Sequence, residues 1–361
     1  HLTDDQRHVF EQARAVVREM AVDVVAISGD VYDRAIPPVE AVNLLDDFLA
    51  DLSDAGKAVV VIPGNHDGAE RLAFGRRLFS GRGVHIAPPG NSIAPIVLND
   101  AHGPVTFYPV PFLTPFDLRQ SVENAELQSF TDVFRSLFAA LPEPPNGRTV
   151  CLAHCYAAGG FRNDEAEERP LLIGGSEVTD PAVFEPFSLT LLGHLHRPQK
   201  VADGIWYAGA PLHYAFSEDD SPKRFHVFEL DAEGAVSLET VPVSPLRKLR
   251  SVSGKFDEVI GAGMADPDRN DYLSVTLTDR GALFDAARKI REVYPNVLHV
   301  VRLPDGNDGG GEIPAGEAAR RRADREVVSD FFGYVAEGLK PEEQAVIDGV
   351  LEEMLAAERG A

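Results

Sequence analysis

The stretch Val59-Val60-Val61-Ile62-Pro63-Gly64-Asn65-His66-Asp67 decides how the rest of the chain is read. Four aliphatic residues, all β-branched, make a run too short for a helix, so it reads as a buried strand of a parallel sheet. Pro63 and Gly64 stop the strand and turn the backbone. An amide, an imidazole and a carboxylate then stand at the strand's carboxyl end. In open α/β sheets that edge is where ligands bind.

The chain on either side repeats the pattern. Capping residues around Thr3 and Asp4 precede Val9, Phe10, Ala13, Val16, Val17 and Met20, which recur at helical spacing. Val22 to Ser28 reads as a strand ending in Gly29-Asp30-Val31-Tyr32-Asp33-Arg34. Pro37 and Pro38 open a helix through about residue 55, and the strand at Val59 follows, completing a βαβ unit. A helix is predicted over Ala69–Phe79, short strands near 84–87, 93–97 and 105–110, and a helix over Phe130–Ala140. Thr149–Ala153 is a strand closed by His154, and Leu189–Leu192 a strand closed by Gly193-His194-Leu195-His196. Residues 205–208 and 225–230 read as further strands of a second sheet, and the polar stretch 159–169 as a surface loop. From Leu249 to Val301 the order strand, helix, strand, helix, strand predicts a small α/β domain.

We expect a large α/β core over 1–243, a small α/β domain over 244–303, a Gly-, Asp- and Pro-rich linker over 304–326 and a helical segment over 327–361. Phe331, Phe332, Val335, Leu339, Val346, Ile347, Val350, Leu351 and Leu355 give that last segment an apolar face. It must pack on its own domain or on a partner.

Composition narrows the class. The 361 residues are 44% hydrophobic and 25% charged, values of an ordinary globular protein. No apolar run approaches the roughly 20 residues of a membrane span and no signal peptide is visible, so no membrane association is expected. The chain begins at His1 without Met, which leaves room for an upstream segment. Two cysteines, Cys151 and Cys155, argue against a disulfide scaffold and fit a reducing cytoplasm. With His154 they lack both a fourth ligand and Cys-x-x-Cys spacing, so Cys151 reads as a strand filler and not a zinc thiolate. The formal net charge of −23 argues against a broad basic surface that grips nucleic acid. A nucleic-acid enzyme with this charge needs cations, local basic patches or a partner.

Four strand ends carry metal-capable groups: Asp30; Asn65 with His66; His154; His194 with His196. Each alone has a structural explanation, since Asp and Asn suit turns and a lone histidine is often a hydrogen-bonded core residue. On an extended segment His194 and His196 point to one face. Together, carboxylate, amide and imidazole suit Mn²⁺, Fe²⁺ or Zn²⁺. Two such ions can clamp both oxygens of a phosphoryl displacement, with Asp30 as the natural bridge between them. His66, next to Asn65, can lie beside the site without binding metal and give a proton near neutral pH.

Gly29-Asp30, Gly64-Asn65-His66-Asp67 and Gly193-His194-Leu195-His196 resemble the signature of calcineurin-like metallophosphoesterases. Ala35-Ile36-Pro37-Pro38, Glu70-Arg71-Leu72, Glu168-Arg169-Pro170, Arg197-Pro198-Gln199, Tyr207-Ala208-Gly209-Ala210-Pro211 and Ser217-Glu218 look like the nuclease subunits that work with a coiled-coil, SMC-like ATPase. The resemblance covers most of 1–243. It implies a four-layer α/β/β/α core, a cap and a C-terminal helical segment that binds the ATPase. It also implies two Mn²⁺ ions, exonuclease cleavage of double-stranded DNA, endonuclease cleavage of single-stranded and hairpin DNA in repair and recombination, and a homodimer. By position, Asp30 would bridge the metals, Asn65, His154 and His194 would hold the second, His196 the first, and His66 would be catalytic. The family also begins with a strand ending in Asp-x-His. No such strand precedes Leu2 here, so the 361-residue chain is expected to bind the first metal weakly and to cleave slowly. Two other readings stay open: a small-molecule phosphoesterase of the same superfamily, and a non-catalytic subunit that binds an ATPase.

Overall fold

The computed structural model describes residues 2–119, 127–141, 147–161, 178–218, 222–279, 283 and 285–303. The chain divides into two compact units, residues 1–278 with 284–301, and residues 279–283 with 302–361. The helices and strands of the described residues lie in the first unit, apart from Arg302 at the end of the last strand. The linker and helical segment expected beyond residue 303 lie outside the described residues, as does most of the expected loop at 159–169.

Helix α1 (Leu2–Glu19) leads to strand β1 (Val24–Ser28), helix α2 (Val39–Asp54) and strand β2 (Ala58–Ile62). Pairing of β1 with β2 is parallel, Ser28 opposite Ile62, as the βαβ reading requires. The segment expected as one helix over 69–79 is two short ones, α3 (Ala69–Leu72) and α4 (Arg76–Phe79). Gly75, at φ 74°, breaks them apart. Strand β3 (Val84–Ile86) completes a parallel three-stranded sheet in the order β1-β2-β3.

Strands β4 (Ile96–Asp100) and β5 (Gly103–Pro109) form a hairpin, followed by helices α5 (Pro115–Arg119) and α6 (Phe130–Ala139). Ser129 caps α6, accepting from Asp132 N–H while the Asp132 carboxylate accepts from Ser129 N–H. Then come β6 (Thr149–His154), the short pair β7 (Tyr156–Ala157) and β8 (Val178–Thr179), β9 (Leu189–Gly193), β10 (Gln199–Ala202) and β11 (Ile205–Tyr207). With β4 and β5, all but the short pair build a six-stranded sheet in the order β10-β11-β9-β6-β5-β4. Strands β12 (Arg224–Leu230) and β13 (Val236–Pro242) pair with each other as a separate ribbon and do not extend the six-stranded sheet.

Burial sorts these elements into layers by the period-two alternation of strands. Val59 and Val61 pack with Val17, Leu45, Phe48 and Leu52 of the first two helices. Val60 and Ile62 face the other way, against Phe107, Val150, Leu152 and Leu189 of the six-stranded sheet. On that sheet's far face, Cys151 and Ala153 pack with Val133, Phe134 and Leu137 of α6. The order is helices, sheet, sheet, helix: the four-layer α/β/β/α core. Both faces of β2 are covered, and Val59 through Ile62 are no more than 1% exposed. That is why the run is uniformly aliphatic.

Beyond the core, β14 (Leu249–Gly254), α7 (Phe256–Ala265), β15 (Tyr272–Leu277), α8 (Ala286–Val293) and β16 (Val297–Arg302) follow the order expected from the sequence. Their three strands form a sheet in the order β14-β15-β16. Asp5 of α1, almost fully buried, accepts hydrogen bonds from Arg247 (2.6 Å) and the Tyr272 hydroxyl (2.8 Å). Gln12 exchanges two hydrogen bonds with the backbone of Ser244. The first helix is thereby fastened to the small sheet.

Candidate metal centre

The carboxyl ends of β1, β2, β6 and β9 meet at one place where the two sheets face each other. Ser28, the last residue of β1, donates its hydroxyl to the Leu191 carbonyl of β9 (3.1 Å) and its own carbonyl accepts from His154 Nδ1 (2.8 Å). The approach is so close that glycine is required. A Cβ on Gly193 would collide with the Ser28 carbonyl, and one on Gly64 with the Asp30 side chain and backbone. Asp30 at φ 49° and His194 at φ 99° hold left-handed conformations that few non-glycine residues adopt. Such outliers persist where the surroundings dictate them, commonly at functional sites.

Asp30, His154 and His194 offer ligand atoms that all lie within 4.8 Å of one another, the one such group of three among the described residues. His154 Nε2 is 3.1 Å from Asp30 Oδ2 and 2.9 Å from Asn65 Oδ1. His194 Nδ1 is 3.2 Å from the same Asn65 oxygen. A carbonyl only accepts, so the Ser28 contact assigns the proton of His154 to Nδ1. Its Nε2 lone pair then faces a carboxylate and an amide oxygen, which also only accept. Such a set needs a positive charge in its midst, and a divalent cation satisfies every member at once. The donor set of nitrogen and oxygen without thiolate suits Mn²⁺, Fe²⁺ or Zn²⁺.

Burial pushes the Asp30 carboxyl up. A positive charge at His154, its ring donating from Nε2 where no ion is bound, and the backbone N–H of His66 outweigh it, so the group stays below the ordinary carboxylate range. Asp30 is thus an anion at neutral pH. Its Oδ1 accepts the His66 N–H (3.0 Å), which ties the loop after β2 to the loop after β1. Asp67 braces the same two loops, accepting from the N–H groups of Gly64, Tyr32 and Val31 at 2.8, 2.9 and 3.1 Å. Burial raises its carboxyl in spite of those bonds. Its place is structural, as suits a turn residue. His66 sits beside Asp30 by its backbone, and its Nδ1 is 3.0 Å from the Asp33 carbonyl.

His196 stands differently. The strand ends at Gly193, and with His194 at φ 99° the pair does not lie on an extended segment. Leu195 between them is buried in the core beside α6. The His196 ring meets Glu218, Nδ1 to Oε1 at 3.3 Å, and packs edgewise on Tyr214. Lys223 donates to Glu218 Oε2 (2.5 Å) and to the His196 carbonyl (2.8 Å). Burial raises the Glu218 carboxyl, but His196 and Lys223 more than offset it and bring it down to about 2. Sequence reading reaches Glu218 only as part of a flanking motif, and gives Lys223 and the Ser28 carbonyl no place at the site. The Cys151 and Cys155 thiols are buried, and burial drives both up, Cys155 to about 12. Neither is a thiolate ligand.

A site of this build, at the carboxyl ends of strands from two stacked sheets, is that of a metal-dependent phosphoesterase. The sequence profile of the calcineurin-like phosphoesterases matches residues 1–198, more than half of the chain, and the protein belongs to that family. A second profile, the type 5 capsule protein repressor C-terminal domain, matches residues 245–335. The chain is also similar to the SbcD subunit of the nuclease SbcCD from Staphylococcus epidermidis. The two are 29% identical over 337 residues, covering 92% of this chain and 87% of the relative.

Proposed function

We propose that this protein is the metal-dependent nuclease subunit of an SbcCD-type complex. It would cleave phosphodiesters of double-stranded DNA from ends and of single-stranded or hairpin DNA internally, together with an SbcC-like coiled-coil ATPase. The observation that carries the proposal is the convergence of Asp30, Asn65, His154 and His194 acceptors on one point between the sheets. Asp30 would be shared between two ions, taken as Mn²⁺, with Asn65, His154 and His194 on one and His196 on the other. Divalent cations there supply Lewis-acid polarisation of the phosphoryl group and a clamp on the attacking and leaving oxygens.

The chain's own residues do the rest. The Ser28 carbonyl fixes the His154 tautomer, so that Nε2 is the ligating atom. Asp30, held as an anion, supplies charge. The Asp33 carbonyl accepts from His66 Nδ1, which leaves Nε2 of the imidazolium to deliver a proton to the leaving oxygen. Residues 244–303 would form a cap and 327–361 the ATPase-binding helices, joined by a linker at 304–326. Ile36, Val39, Phe74 and Leu78 are large apolar side chains each at least 67% exposed, and they would serve a homodimer.

The test is cleavage of linear duplex and hairpin DNA by the full-length gene product with Mn²⁺. Activity should vanish with a chelator, and His66→Ala should cost about 10²–10⁴-fold in rate, as loss of a general acid does. Full activity in His66→Ala would remove that residue's role. Turnover of a bis-aryl phosphodiester with no cleavage of DNA would favour the small-molecule reading instead.

A further inference from the structure

We propose that Glu218 is a positioning residue, which holds His196 in the tautomer that presents Nε2 for a metal ion. The proposal rests on the metal-site reading above and extends it to a residue outside the ligand set. Glu218 is a buried carboxylate saturated with donors. Its Oε1 accepts the Tyr214 and Ala215 N–H groups at 2.8 and 3.3 Å, and its Oε2 accepts Lys223 Nζ at 2.5 Å. Both side chains of the ion pair are at most 6% exposed. A carboxylate so bound has no proton to give, so a ring nitrogen facing it must donate. That nitrogen is His196 Nδ1. With the proton on Nδ1, the Nε2 lone pair is the ligating one.

The remaining contacts serve the same orientation. Lys223 bridges Glu218 and the carbonyl of His196 itself, which also accepts the Ala210 N–H at 3.0 Å. The ring edge rests against Tyr214, whose backbone is bound to the same carboxylate. His196 is therefore gripped at its ring, its backbone and its flank by Glu218, Lys223 and Tyr214. His154 obtains the same tautomer from a backbone carbonyl, and His196 from a carboxylate, which also fixes the orientation of its ring.

The test reads ring-nitrogen protonation by long-range ¹H–¹⁵N NMR in the 361-residue chain after chelator treatment, then follows Mn²⁺-induced broadening of the same signals. His196 should carry its proton on Nδ1. Glu218→Ala should shift it toward Nε2 and raise the Mn²⁺ concentration for half-broadening of His196 by about 10–100-fold. Glu218→Gln, whose amide oxygen still accepts, should keep the Nδ1 proton and raise that concentration several-fold. His154 signals should not move in either variant, which controls for a general loss of structure. His196 protonated on Nε2 in the unaltered chain, or a half-broadening concentration unchanged in the variants, overturns the proposal. Where Glu218→Ala does not fold, Glu218→Gln decides it by the same unchanged value. Should Mn²⁺ broaden neither histidine, the metal reading fails, while the tautomer result still judges Glu218.

Discussion

His154 shows how much one residue contributes when its surroundings are arranged around it. Its ring is buried, one nitrogen is committed to Ser28, and the other faces the Asp30 carboxylate. Bringing those acceptors together costs electrostatic free energy that a cation returns. Mn²⁺ should therefore raise the melting temperature of the chain, with a stabilisation of about 2.7 kcal/mol at a hundredfold excess over the dissociation constant. His154→Ala should lose most of this response in a thermal-shift titration. An undiminished response in that variant would place the ion elsewhere. The strand ends read from the sequence put Asp30, Asn65 and His154 at positions that the fold brings together. Glu218 is reached only within the flanking pair Ser217-Glu218 and without a role, because its partner His196 is 22 positions away and only the fold brings them together. The extended geometry expected for His194-Leu195-His196 fails for a related reason. Leu195 turns into the core and His194 takes a positive φ, neither of which the period-two rule contains.

At the scale of elements, the strongest signals are strands buried on both faces and helices with one apolar stripe. These place β1, α2, β2, β6 and β9 to within two residues. Glycine decides where the reading breaks, since Gly75 splits the helix expected over 69–79. Strand β13 escapes it although Val236, Leu238 and Thr240 alternate with Ser237 and Glu239, a signal that is present but half polar. Helix α1 carries a feature no pattern predicts: Asp5 on its inward face, paired with Arg247 and Tyr272 across the small sheet. Asp5→Ala strands a guanidinium and a hydroxyl together. It should cost about 3 kcal/mol in urea unfolding. A loss under about 1 kcal/mol would mean that the helix and the small sheet are held by their apolar contacts alone.

For the molecule as a whole, charge sets the terms on which it can meet a polyanion. A net charge of −23 leaves long-range repulsion to be overcome, and the divalent site is one local source of positive potential. Arg197, immediately after His196, lies with its guanidinium 4.9 Å from the centre of the Phe161 ring and is another. DNA binding by this chain alone should be weak and should depend only shallowly on salt, with about two to three counterions released. Anisotropy titrations from low to physiological salt measure this slope. A slope of about −6 or steeper would reveal a basic surface that the composition does not suggest. Addition of the ATPase proposed above as its partner should steepen it.

The two thiols, packed between the six-stranded sheet and α6, have a practical corollary. They are the chain's complete stock of sulfhydryl groups, and burial keeps both in the unreactive protonated form. Maleimide dyes should therefore ignore the native protein. A cysteine placed on the exposed side of β13, as in Ser237→Cys, should take up one equivalent of fluorophore. Fluorescence energy transfer between two such dyes could then follow this protein joining a second copy or a partner, with no native cysteine to remove first.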